Sequence, residues 1–239
     1  MTESFLINMD YSYIDENVAR VRDKISDAAK RSGRSADEVL LLAAIKSAEC
    51  DEINYLHRSL GINDVGENRV QQLLERYDKI DRDGLNLHFI GSLQTNKVKY
   101  IVDKVSLIHS LDSIRLCDEI QKQAAKRGIV SRVLVEINSG NEENKGGIEP
   151  EDAERFCTEI MAYKNIELCG FMTMAPRCER KDDYYPYFER TRLIADKIWR
   201  STLGLGGSPV LSMGMSESFE AAVECGATVV RVGRTLFAK

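Results

Sequence analysis

The strongest constraint on the fold is an alternation. Eight short apolar runs of strand type recur between residues 39 and 232, about 24 residues apart, with helix-type segments between them. They are VLLLAAIK (39–46), INDVG (62–66), LHFIG (87–91), SLIHS (106–110), RVLVEIN (132–138), IELCGFMTM (166–174), PVLSMG (209–214) and TVVRVG (228–233). The first is almost continuously apolar, which suits a strand buried on both faces of a parallel sheet. Ahead of it, NVARVRDKISDAAKRSG sets Val18, Val21, Ile25 and Ala28 at helical spacing and stops at Gly33, so an additional N-terminal helix is expected. Punctuation supports the later helices: Pro150 before E-D-A-E, Ser216 before E-S-F-E, and Gly128 and Gly226 past the last apolar positions. Eight such units predict a single closed (β/α)8 barrel of the TIM type. An open doubly wound sheet has fewer strands and a glycine-rich loop after the first, whereas here the first run ends in Lys46 with no G-x-G-x-x-G.

No low-complexity linker divides the 239 residues, and the expectation is one domain over 1–239. The polar loop SGNEENKGG (139–147) falls inside a strand-to-helix connection and reads as a mobile loop on the functional face. With 33 basic against 38 acidic residues the net charge is −5, which argues against non-specific nucleic-acid binding. No apolar stretch is long enough to span a membrane, and the acidic N-terminus has no signal-peptide core. Six cysteines without a C-x-x-C suggest reduced packing thiols rather than disulfides or a metal site. A cytoplasmic protein is expected.

In such a barrel the chemistry sits where the strands end, and that narrows the candidates. Lys46 follows six apolar residues; a desolvated amine there is nucleophilic and competent to form a Schiff base, while the alternative is a solvated strand-end lysine. Gly214 and Gly233 would let backbone approach a ligand, and Ser216 would either cap a helix or hold an anion at its N–H groups. Arg231, within TVVRVG, is expected to point into the barrel. It needs an acceptor there, either a carboxylate such as Glu67 or an unprotonated ring nitrogen of a ligand. His109 ends a strand and could reach the pocket; His88 reads as a satisfied core histidine, and His57, Tyr184, Tyr185 and Tyr187 as surface or packing residues.

Taken together, VLLLAAIK, DVGENRVQQLLE, LHFIGSLQTNK, IHSLDS, VLVEINSGNEENKGGI, LCGFMTM and LSMGMSESFEAAVECGATVVRVGRTLF resemble the pyridoxal phosphate homeostasis protein family, single-barrel relatives of the alanine racemase N-terminal domain. The resemblance covers roughly residues 13 to 239. It implies that pyridoxal 5′-phosphate is held as an aldimine on Lys46, with Asn68 lining its ring. Met215, Ser216, Gly233 and Arg234 would surround the phosphate, and Arg231 would face the ring nitrogen. Lys145 matches a lysine near the pocket mouth. Many members carry threonine or serine where this chain has Arg234, so a hydroxyl contact to phosphate is lost here while the backbone N–H remains.

The resemblance also bears on activity. Alanine racemases take a second base, a tyrosine, from a C-terminal domain for which this chain, ending at Lys239, leaves no room. An arginine at the ring nitrogen weakens the electron sink of pyridoxal phosphate chemistry. The expectation is a protein that binds the cofactor and serves vitamin B6 homeostasis without steady turnover, with apo-enzymes as partners for delivery, no nucleic-acid or membrane partner, and a monomeric state. The alternatives are a single-domain amino-acid racemase using water or His109 as second base, and a barrel binding a sugar phosphate. A β-branched residue at Gly233 is expected to crowd the phosphate cup without unfolding the barrel.

Overall fold

The computed structural model describes residues 10–140 and 146–239. Lys145 and most of the polar loop at 139–147 lie outside the described residues. The order is α1 (Ser12–Arg31), β1 (Leu40–Ala44), α2 (Cys50–Leu60), β2 (Asp64–Glu67), α3 (Val70–Tyr77), β3 (Asn86–Phe89), α4 (Val98–Ile101), β4 (Leu107–Leu111), α5 (Ile114–Arg127), β5 (Ser131–Ile137), α6 (Ala153–Ile160), β6 (Ile166–Thr173), α7 (Tyr185–Asp196), β7 (Val210–Met215), α8 (Phe219–Glu224) and β8 (Val229–Val232). The eight strands form one closed barrel in sequence order, every neighbouring pair parallel, with Leu40 beside Val229 closing the ring. The expected barrel is therefore the observed one.

Local chemistry accounts for the elements. α1 buries a stripe of Ile14, Val18, Val21, Ile25, Ala28 and Ala29, each three or four residues from the next until the last pair. α5 starts where the Ser113 hydroxyl accepts from the Leu116 N–H and stops at Gly128, whose φ of 66° few other residues would adopt. Two helix starts differ from expectation. α6 begins at Ala153, so Pro150 stands in the preceding turn rather than the first helical turn. α8 begins at Phe219, so Ser216 is in a turn and Ser218 occupies the N-cap position.

The N-terminal helix completes the outer layer. Among the described residues no helix follows β8, and α1 fills that place between α8 and α2. Arg31 pairs with Glu224 and Lys24 with Glu220 on one side, while the Tyr55 hydroxyl donates to Asp15 on the other. Asn17 donates to the carbonyls of Leu236 and Ala238, tying α1 to the end of the chain.

The main core lies between barrel and helices, formed by residues such as Phe89, Ile108, Val133, Phe171 and Val230, all fully buried. Burying each such side chain contributes about 1.5–3 kcal/mol. The barrel lumen is different. It holds two small apolar groups, Leu42, Ala44, Ile90 and Val229, and Leu107, Leu134, Cys169 and Met172. With them are buried polar residues, His88, His109, Glu136, Ser212 and Arg231.

Candidate cofactor site

A cavity of about 320 Å³ opens at the C-terminal ends of the strands. Lys46, Asn68, Met215, Ser216, Arg231, Gly233 and Arg234 all line it, so the structure brings the sequence-derived candidates to one place. Arg177, on the connection after β6, adds a further cation to the wall, against one carboxylate, Glu217. Such a lining favours an anionic ligand.

Lys46 stands two residues beyond the end of β1. It is exposed toward the cavity side of the barrel and, among the described residues, has no hydrogen bond or ion pair. The sequence suggested a half-dry position; β1 ends at Ala44, short of the lysine, and the amine reaches the open mouth instead. Its loop is firmly held. Arg76 on α3 donates to the carbonyls of Ile45 and Ala48, each at 2.9 Å, and pairs with Glu67. Glu67, fully buried, also accepts from the N–H groups of Asn68 at 2.7 Å and Arg69 at 3.3 Å.

This arrangement explains the G-E-N element and removes the proposed pairing of Glu67 with Arg231. Strand residues alternate between faces. Gly66 therefore faces the lumen, where a Cβ would meet Leu42 at 2.5 Å, and Glu67 faces the helices, where Arg76 takes it. Asn68 follows at the rim; its Oδ1 is buried and has no partner among the described residues. Gly91 is required beside it, because a Cβ there would run into the Asn68 carbonyl oxygen.

Arg231 is buried and aimed into the lumen as expected, but it takes carbonyl and hydroxyl acceptors instead of a carboxylate. Nη1 donates to the Ser212 carbonyl and hydroxyl, both at 2.6 Å, and Nη2 to the Thr173 carbonyl at 2.9 Å. Of the five N–H groups of a guanidinium, these use three. Burial lowers the Arg231 pKa to about 10, opposed by the charge of Glu136. Burial in turn raises Glu136 to about 7, with Asp112 adding to the effect and Arg231 opposing it.

The floor between β7 and β8 is made by turns. The Met215 N–H donates to the Ser218 hydroxyl, and the Ser218 N–H returns to the Met215 carbonyl. The backbone N–H groups of Ser216, Gly233 and Arg234 have no acceptor among the described residues. They belong to turns rather than to the start of a helix, because α8 begins three residues past Ser216. Arg234 extends along the rim to Glu217 at 2.9 Å.

Both glycines are demanded by packing as well as by any ligand. A Cβ at Gly214, whose φ is 86°, would lie 2.6 Å from the Ala222 Cβ, and one at Gly233 would lie 2.7 Å from the Ala44 carbonyl oxygen. A β-branched residue at Gly233 would therefore press on the backbone at the end of β1 as well as on the cup.

His109 does not reach the cavity. It is wholly buried, with Nδ1 2.9 Å from the Ser212 Oγ and Nε2 2.9 Å from the His88 Nδ1. Burial, His88 and Arg231 together hold its pKa well below the ordinary range. His88 is a satisfied core residue, bonded to His109 and to Asp64 at 3.0 Å. His57 is a packing residue held by Asn63 and the Asp83 carbonyl. Tyr184, expected only to pack or face solvent, is buried and lines the cavity, its hydroxyl donating to the Cys178 carbonyl and accepting from the Cys178 N–H. Cys50, Cys117, Cys157, Cys169 and Cys225 form no disulfide, and the described residues hold no cluster suited to a metal ion.

The profile of the alanine racemase N-terminal domain matches residues 10–239. A pyridoxal phosphate homeostasis protein of Aquifex aeolicus is 44% identical over 223 residues, covering 93% of this chain and 96% of its own. Among solved structures, an unknown protein from Bifidobacterium adolescentis superposes with a TM-score of 0.87 at 32% identity, over 96% of this chain and 97% of that one. PipY of Synechococcus elongatus PCC7942, a structure with PLP bound, gives a TM-score of 0.81 at 26% identity, over 94% of this chain and all of that one (100%). No helix of the described residues is long and apolar enough to cross a membrane.

Proposed function

The chain belongs to the pyridoxal phosphate homeostasis protein family, within the alanine racemase N-terminal domain group, and from that membership we propose that it binds pyridoxal 5′-phosphate in the cavity at the strand ends and serves vitamin B6 homeostasis without steady turnover. The observation that carries the reading is the convergence of an unpaired amine, Lys46, with Arg231 donors and free turn N–H groups around one cavity.

The residues present fit the cofactor. Asn68 offers a buried amide oxygen without a partner, and Arg231 has two N–H groups left for an acceptor such as a ring nitrogen. The turn N–H groups at Ser216, Gly233 and Arg234 suit a phosphate, and Arg234 lies at the rim with Glu217. Lys46 would supply the amine that holds the cofactor's aldehyde. When bound, the cofactor supplies an electrophilic carbon and an electron sink.

Arg231 bears on the absence of turnover. A permanently charged donor at the ring nitrogen disfavours its protonation and so weakens that sink. His109, with both ring nitrogens engaged, is withdrawn from the role of second base. The racemase alternative is left with water, or with Tyr184, whose hydroxyl is tied to Cys178. An open cavity and a single covalent tether would leave the aldehyde exchangeable, which supports delivery to apo-enzymes as part of this reading.

The test is the visible spectrum of the purified protein with added pyridoxal phosphate, followed by borohydride reduction and peptide mapping. A yellow protein whose reduced adduct sits on Lys46, absent in Lys46→Ala, is the expected result. A protein that stays colourless would overturn cofactor binding. Steady racemase turnover lost in Lys46→Ala and Tyr184→Phe would favour the enzyme.

A further inference from the structure

A line of polar side chains crosses the barrel lumen, where branched apolar residues ordinarily pack. It starts at Asp64, the first residue of β2, passes His88 on β3 and His109 on β4, crosses to Ser212 on β7, and ends at Arg231 on β8. The four links measure 3.0, 2.9, 2.9 and 2.6 Å. β4 and β7 are not neighbours in the barrel, so the His109–Ser212 bond bridges its interior.

The donors and acceptors permit one direction. Arg231 only donates, so the Ser212 Oγ accepts from it. Among the described residues the Ser212 hydroxyl hydrogen has no other acceptor than the His109 Nδ1, which must then be unprotonated. A neutral His109 carries its proton on Nε2 and donates to the His88 Nδ1. His88 in turn donates through Nε2 to the Asp64 carboxylate, which the Asn86 amide also holds at 3.1 Å.

We propose that His109, acting through Ser212, is the positioning residue that sets Arg231 toward the cofactor, with His88 and Asp64 fixing its tautomer from the opposite end of the barrel. Ser212 presents carbonyl and hydroxyl together to Nη1, and its hydroxyl holds still only while His109 accepts its proton. With Nη1 and one Nη2 hydrogen engaged, the unused N–H groups are those left for the cavity. The role toward the cofactor rests on the function proposed above, whereas the direction of the chain does not.

Two measurements separate these. In cofactor-free protein at pH 7, long-range nitrogen-15 NMR of the imidazoles is expected to show His88 and His109 neutral and protonated at Nε2. An Nδ1–H tautomer or an imidazolium at either position overturns the chain. For the cofactor, pyridoxal phosphate binding is titrated by absorbance. His109→Leu is expected to weaken it about tenfold, since it strands two buried polar groups. His109→Gln, whose amide can accept from Ser212 and donate to His88, restores most of the affinity. Should His109→Leu fail to fold, Ser212→Ala, which keeps the backbone carbonyl that Arg231 uses, is expected to show the same loss. At the far end Asp64→Asn, which still accepts, is neutral, and Asp64→Leu is not. Wild-type affinity in His109→Leu or Ser212→Ala overturns the positioning role. A wild-type protein that takes up no cofactor overturns it as well, and is distinguished because the unsubstituted chain itself fails to bind.

Discussion

At the scale of single residues, Glu136 is a group whose ionisation the fold opposes. Its carboxyl is buried in the lumen and shifted to about 7 from an ordinary 4.5, by burial first and Asp112 second, against the pull of Arg231. The fold therefore favours the protonated form. Below pH 4.5 folded and unfolded chains both hold the proton; between 4.5 and 7 only the folded chain does, so stability from this group falls as pH rises and levels off above 7. The expected size is about 3 kcal/mol, and denaturant titrations from pH 4.5 to 8 should show Glu136→Gln removing most of the decline. The positions of Lys46, Asn68, Ser216 and Arg231 were legible in the sequence because a barrel gathers its strand ends at one mouth. Their partners were not. Glu67 looked available to Arg231, yet counting faces from Gly66, which must be inside, puts Glu67 outside. The polar line through the lumen was hidden for another reason: His88, His109 and Ser212 are far apart in sequence and meet only through barrel curvature.

At the scale of elements, the eight strands could be read as apolar runs because a doubly covered sheet needs them. Their helices were less well bounded. Ser216 and Pro150 carry the residue types of helix starts, but tertiary packing delays α8 to Phe219 and α6 to Ala153. The junction of β8 with β1 leads to a sharper expectation. Gly233→Val would place its Cβ against the Ala44 carbonyl, where backbone rather than a flexible side chain must yield. The cofactor-free variant should therefore melt several degrees below wild type by calorimetry. An unchanged melting temperature with weakened cofactor binding would return the glycine to a purely ligand-facing role.

At the scale of the whole molecule, the helix layer closes with a segment that precedes the first strand. α1 occupies the place after β8, and Asn17 already holds the carbonyls of Leu236 and Ala238. A circular permutant that begins at Ser35, joins Lys239 to Asp10 through an added glycine-serine linker and ends at Arg34 should thus keep the same packing. Its circular dichroism and thermal midpoint should match those of the parent, whereas a molten or aggregated permutant would mean that α1 must lead the chain. The same closure has a kinetic meaning. β1, which leads to Lys46, pairs with β8, which carries Arg231 and leads to Gly233, although nearly the whole chain separates them. A contact of such sequence separation forms late in folding, since its loop entropy must be met by everything between. The two walls of the cavity are then expected to come together only in that last step, where a ligand would not speed the search for the fold. It would act as a latch on the finished barrel, slowing the reopening of the β1–β8 seam.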